Sequence, residues 1–186
     1  VAHIYQNRVV QPVRAFTGLA AFDGLLTLSL GQRTLDELNL ADRPLLVLEE
    51  PVVHSGRAGL VEGTLAVSKS AILFTVEIDA VGADLHGGTP EPALKQAFRS
   101  LLRLRIGEYT LEGYMHMPPG ISFINRMSQA RRRFVALTSA SIDGPGVSGV
   151  AYFVAANWAH VLSAQEVLSI ESISEDTGAE VGAEAR

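Results

Sequence analysis

Moving the chain against itself by 89 positions lays residues 14–53 on residues 103–142 without a gap. Arg14 then meets Arg103, Gly18 meets Gly107, Gly24 meets Gly113, Gly31 meets Gly120, Ala41 meets Ala130, Arg43 meets Arg132 and Leu48 meets Leu137. The apolar positions follow the same shift: Leu26/Met115, Leu28/Met117, Leu35/Ile124, Leu38/Met127, Leu45/Phe134 and Val53/Ile142. A shortening by three residues brings GTLAVSKSAILFTVE, from Gly63, over GVAYFVAANWAHVLS, from Gly149. Self-similarity at a fixed period is how a repeated structural unit shows itself, so the chain reads as two copies of one small module.

The 186 residues divide into two modules of about 80 residues, a size that buries only about 60–65% of its unfolded surface and is marginal alone. Each module is therefore expected to lean on its twin. The 17 glycines and 8 prolines fit a turn-rich β protein. Without cysteine there are no disulfides, thiolate metal sites or cysteine nucleophiles. No apolar run reaches the ~18 residues of a membrane helix, and VAHIYQNRVV has no apolar signal core, so the expectation is a cytoplasmic protein with no membrane span. Charge is uneven: residues 1–89 carry −4, residues 90–165 carry +4 and residues 166–186 carry −5. The second module is basic between acidic neighbours, an asymmetry that favours contacts within or between copies.

The expected organisation is mainly β: two tandem small β-barrel or half-barrel modules, 1–80 and 102–165, with a linker and helix at 81–101 and an acidic tail at 166–186. In the first module, residues 5–16 read as a strand interrupted at Pro12, and 20–30 as a second strand with Gly24 marking a bulge or close approach. Residues 34–39 read as a helical turn capped by Thr34. A strand begins after Pro44, with Pro51 pointing to an edge or bulge, and residues 60–67 and 71–78 read as a hairpin around Ser68–Ser70. In the linker, Thr89, Pro90 and Glu91 start a helix that ends near Leu101. The second module then replays the first: strand to Met117, helical turn at 123–127, strand 134–142, a tight turn through GPGVSG and a last hairpin around Asn157.

The second copy carries YTLEGYMHMPPG, FINRMSQARRRFVALTSASI and YFVAANWAHVL. These strings resemble an uncharacterised bacterial family of small β domains that reads R-I-E-G-x-x-H-x-P-x-G, R-x-x-D-x-L-N, F-I-x-L-T-x-A and V-N-x-x-H-I. Leu111, Glu112, Gly113, His116, Pro118, Gly120, Phe134, Leu137, Thr138, Ala140, Asn157 and His160 match. Ser122 and Asn125 stand where the family's Arg and Asp of the helical turn belong; the first copy keeps these as Arg33 and Asp36, with Leu38 and Asn39. The resemblance implies a small β fold, here in two tandem copies, and brings no established activity.

No convergent catalytic set is visible. His116 and His160 lack further ligands or a carboxylate at matched spacing and read as strand or structural histidines, and His54 and His86 as solvated loop residues. GPGVSG lacks the Lys and Ser/Thr of a phosphate loop and precedes a strand. Ser122 and Ser139 lack the strand–turn–helix setting of a hydrolase nucleophile. No catalytic residue, cofactor or metal is therefore assigned.

One cluster could bind: Arg126, Arg131, Arg132 and Arg133, with Lys95, Arg99, Arg103 and Arg105 near it in sequence. Protein contact is the favoured role. Nucleic acid is disfavoured because few aromatics interleave the basic residues. In the tail, Val167, Leu168, Ile170 and Ile173 are the only apolar anchors, and residues 167–173 are expected to dock on the modules or a neighbouring chain, with the acids beyond approaching Arg131–Arg133. The expected function is a non-catalytic structural or interaction protein, an assembly or accessory subunit of a homo-oligomer or larger complex. The alternative is a regulatory module binding a nucleotide-like anion or, as an Sm-like domain would, RNA.

Overall fold

The computed structural model describes residues 3–5, 8–56, 62–78, 99–118, 121–128 and 132–167. The protein is mainly β, built as one antiparallel sheet. Its strands are β1 (His3–Tyr5), β2 (Arg8–Thr17), β3 (Ala20–Ser29), β4 (Leu45–Gly56), β5 (Thr64–Ser68), β6 (Ile72–Glu77), β7 (Arg99–Ile106), β8 (Tyr109–His116), β9 (Phe134–Gly144), β10 (Val147–Asn157) and β11 (Val161–Glu166). Two short helices, α1 (Thr34–Leu38) and α2 (Phe123–Ser128), follow β3 and β8. Along the sheet the order is β11-β7-β8-β9-β10-β6-β2-β3-β4-β5, with β1 pairing β2 off this path. The sheet is open: β5 and β11 end the path. Among the described residues no helix is long and apolar enough to cross a membrane.

The pairing registers recur at the spacing of 89. Val13 opposes Gly24 as Leu102 opposes Gly113, and Phe22 opposes Val53 as Leu111 opposes Ile142. The register slips between Asp23 and Leu25, and again between Glu112 and Tyr114. Facing those slips, Glu50 and Ser139 take left-handed backbone (φ 50° and 48°), where an extra residue must be absorbed. Close approach explains the glycines there: a Cβ on Gly24 would lie 2.8 Å from Leu48 Cβ, and one on Gly113 2.7 Å from Ala140 Cβ. Leu46 opposes Val67 as Val135 opposes Ala156, so the spacing of 89 continues through β5 and β10 without the three-residue shortening read from the sequence. Val154–Asn157 is buried on both faces, so its residues carry no apolar alternation by which sequence alone could fix the register.

Other expectations change. β5 and β6 do not form a hairpin: β6 pairs β2 and β10, while among the described residues β5 pairs only β4. Nor do β10 and β11 pair; a 3-10 turn at Trp158–His160 carries the chain around a corner to β7. A two- or three-residue loop between apolar strands looks the same in sequence whether it reverses or turns aside. β2 runs through Pro12, which lies between the stretch of β2 paired with β1 and that paired with β6; its carbonyl accepts Ile78 N at 2.9 Å. Arg33, not Thr34, is the N-cap of α1: the Asp36 carboxylate accepts its backbone N–H at 3.2 Å and its Nε at 3.0 Å. Arg99–Leu101 belong to β7, which moves the end of the expected linker helix back. The remainder of that helix lies outside the described residues.

Two packed clusters lie on opposite faces of the sheet, for Val154 and Ala156 belong to one and Ala155 between them to the other, and each draws on both halves of the sequence. One centres on Leu102, Leu104, Leu111, Leu137 and Ile142, and includes Phe16, Phe74 and Val76; the other centres on Val13, Leu26, Leu46 and Leu48, and includes Phe134 and Ala155.

Candidate assembly interface

The two halves meet where β10 lies antiparallel to β6, with Val154 opposite Val76, Ala155 opposite Thr75 and Ala156 opposite Phe74. All six residues are buried. Phe74 stacks on Phe16 (centroids 4.3 Å apart), and both meet Tyr109 of the second half edge-on at 5.1 and 5.7 Å. Burial pushes the Tyr109 hydroxyl above its ordinary pKa, as fits a ring wedged among phenylalanines.

Two asparagines hold the corners of this junction. The Asn39 side chain, just past α1, donates to Phe134 O at 3.0 Å and accepts from Phe134 N at 2.9 Å. Both backbone groups of Phe134 are thereby satisfied across the junction. Asn157 is fully buried; its Nδ2 donates to Lys69 O at 3.2 Å and Ile72 O at 2.7 Å, while Oδ1 accepts Ala159 N at 3.1 Å. His160 Nε2 lies 2.6 Å from Ser70 O. These bonds fix the corner residues of one half against the corner of the other. Lys69 is itself buried, its ammonium donating to Glu37 O at 2.5 Å and lying 3.6 Å from Glu37 Oε1. Burial pushes its pKa down and Glu37 opposes the shift.

The two sheet ends show what the junction hides. On the β11 side Ile124 is 72% and Leu162 70% exposed; 89 residues earlier, Leu35 and Leu73 are each 9% exposed at the junction. On the β5 side Leu45 is 46% exposed, whereas Phe134, 89 residues later, is 0% exposed beneath α1. A cleft of about 370 Å³ opens beside Leu45, lined by Leu26, Pro44 and Val47 with Glu37, Asp42, Arg43 and Glu49 at its polar wall.

The arginines expected to act together lie on and just after α2. Arg126 lies on α2, and Arg132 and Arg133 precede β9, all exposed; Arg131 lies outside the described residues. Arg132 helps, after the dominant bond from Arg33, to hold the Asp36 carboxyl below its usual range, an attraction that crosses the junction. Arg99 stacks over Tyr114 at 4.3 Å and Arg103 pairs with Glu112 at 2.7 Å. Lys95 lies outside the described residues, as do Leu168, Ile170 and Ile173. Val167 is half-buried and donates its N–H to Leu101 O at 2.8 Å, in the register by which Ile78 bonds Pro12.

His116 is exposed at the end of β8. His54 sits in β4, not in a loop, with Nδ1 3.6 Å from Asp23 Oδ2; Asp23 in turn binds the buried Arg14. His86 lies outside the described residues. Among the described residues no three His, Asp or Glu side chains converge to hold a metal ion. Sequence reasoning missed Asn39 and Asn157 as junction residues, although both stood among the positions of the family resemblance. Comparison with protein-family models, curated proteins and solved structures finds no match to this chain.

Proposed function

We propose that the chain is two tandem copies of one five-strand module and that it works as a non-catalytic assembly or accessory subunit, joined to other protein chains through its sheet edges. The first part is supported by the shared strand order, β11-β7-β8-β9-β10 in one half and β6-β2-β3-β4-β5 in the other, and by the shared register slips. A fifth strand returning beside the first is the order of a half-open barrel. The observation that carries the second part is the β10–β6 junction: the two halves associate by adding strand to strand while burying apolar residues on both sides. Strand addition is a general mode of protein recognition, because main-chain bonds supply affinity and side-chain pockets supply specificity. A chain without cysteine needs no oxidising compartment, and the cytoplasm is its proposed setting.

A thermal-shift series with nucleotides and short RNA at low and high salt tests this reading against the anion-binding alternative. Assembly predicts a melting temperature that rises with protein concentration and is indifferent to nucleotide. Ligand-specific, salt-sensitive stabilisation that disappears on replacing Arg126, Arg132 and Arg133 would transfer the function to the basic surface.

A further inference from the structure

We propose that β5 of one chain pairs antiparallel with β11 of a second copy, reproducing between chains the contact that β10 and β6 make within one. This deepens, and rests on, the reading of the chain as two equivalent modules. Position by position, β5 is the counterpart of the C-terminal part of β10, and β11 the counterpart of β6, each at the spacing of 89. Transferring the junction register to β5 and β11, which end the sheet among the described residues, places Leu65 opposite Gln165, Ala66 opposite Ala164 and Val67 opposite Ser163.

The side chains at the two ends are complementary under the same transfer. At the junction, Leu35 on α1 shares one packed cluster with Phe134. The equivalent pair between chains is Ile124 on α2 of one copy and Leu45 of the next, both exposed here. Beside Leu45 lies the 370 Å³ cleft, at the position that corresponds to the surface α1 covers in the second half. Asp42 and Glu49 on that cleft offer acidic partners, beside Arg43, for Arg126 of the incoming α2. Net charge agrees: residues 1–89 carry −4 and residues 90–165 carry +4.

The edges carry little charge and no proline, and the slip in β11 between Val161 and Ser163 has its match in β6 opposite Phe16 and Thr17, which pairs β10 nonetheless. β5 reads TLAVS, without charge or proline, and β11 reads VLSAQE, with one charge at its end. Because different patches meet, the contact is heterologous and joins copies head to tail, closing into a ring where the repeated rotation allows. It is weaker than the junction, since Phe16, Phe74 and Tyr109 have no aromatic counterpart there: the equivalent positions hold Arg105, Ser163 and Ala20.

The absence of native cysteine makes a disulfide test clean. A chain carrying Leu65→Cys and Gln165→Cys is oxidised mildly, and its products are separated under denaturing, non-reducing conditions. Opposed residues of antiparallel strands stand about 4.5–5.5 Å apart at Cα, within disulfide reach, so a ladder of covalent multimers is expected. Leu65→Cys with Ala164→Cys points the two thiols to opposite faces and should give no ladder. A mixture of the single variants should yield only the mixed dimer. Light scattering on the unmodified protein should give an integer multiple, above one, of 19.9 kDa. The solvent-exposed replacements Ile124→Asp and Leu162→Asp should weaken self-association at least about 100-fold while leaving the circular dichroism spectrum unchanged, the burial of an unpaired charge being the cause. Multimers without the ladder would overturn this pairing and leave the broader assembly function standing. A disulfide confined within one chain would overturn it by placing β5 beside β11 of the same chain, and a mass of one chain at all concentrations would overturn it too.

Discussion

The β10–β6 junction and the two outer edges occupy equivalent positions of the sheet, yet only the junction is finished. Inside it, Phe74, Tyr109 and Phe16 interlock and Asn39 and Asn157 tie down the corners. At the edges the same positions carry Ser163, Ala20, Arg105, Ser128 and Ser68, and leave Ile124, Leu162 and Leu45 exposed. The proposed contact between copies would therefore rest on aliphatic and short polar residues and be the weaker of the two.

The sharpest way to break this comparison is to truncate the same face in both places. Phe74→Ala at the junction should cost about 3–5 kcal/mol of folding stability, the usual range for deleting a buried ring, whereas Leu45→Ala at the edge should cost well under about 1 kcal/mol in dilute solution. Denaturant unfolding of both variants measures this, and similar losses would deny that the edge is unfinished.

A second contrast uses one ion pair built twice. Arg14–Asp23 and Arg103–Glu112 stand 89 residues apart, but Arg14 is 4% and Arg103 52% exposed. Asp23→Ala strands a buried guanidinium and should cost about 3 kcal/mol, while Glu112→Ala should cost less than about 1 kcal/mol. A third concerns Gly24 and Gly113, whose alanine variants should lose similar amounts, about 1–3 kcal/mol, because each new methyl overlaps the neighbouring strand. If only one of the two suffers, the halves are less alike than their registers.

The smallest effect is one of pH. Burial, and then the Arg14 charge, depress His54 below its ordinary 6.5, with Asp23 opposing. Between the folded value and 6.5 the unfolded chain binds more protons, so stability is constant above that window and falls as pH drops through it. Thermal melts from about pH 7.5 to about pH 5 should show this slope, and His54→Gln should flatten it.

Much of this was legible in the sequence. Alternating residues such as Phe22, Leu26 and Leu28 marked β3, and Gly24 marked a close approach, because period-two burial and a missing side chain leave direct traces. The corners left no such trace. Ser68–Ser70 looked like a hairpin tip, and only the bonds from Asn157 to Lys69 and Ile72 show why the chain turns aside there. Arg126, Arg132 and Arg133 stood out as charge, but the exposed residues on which the proposed contact rests, Leu45, Ile124 and Leu162, are ordinary aliphatics whose role depends on what lies opposite. Strand order, which decides that, is a long-range property that no local pattern carries.

Amide hydrogen exchange, followed residue by residue across β5 and β11 as protein concentration rises, tests the central claim most directly. The account predicts that Leu65–Val67 and Ser163–Gln165 exchange quickly at low concentration and become protected together on concentrating, approaching the slow exchange of Val154–Ala156 and Phe74–Val76, which should hold at every concentration. Fast exchange at both edges across the whole range would contradict it.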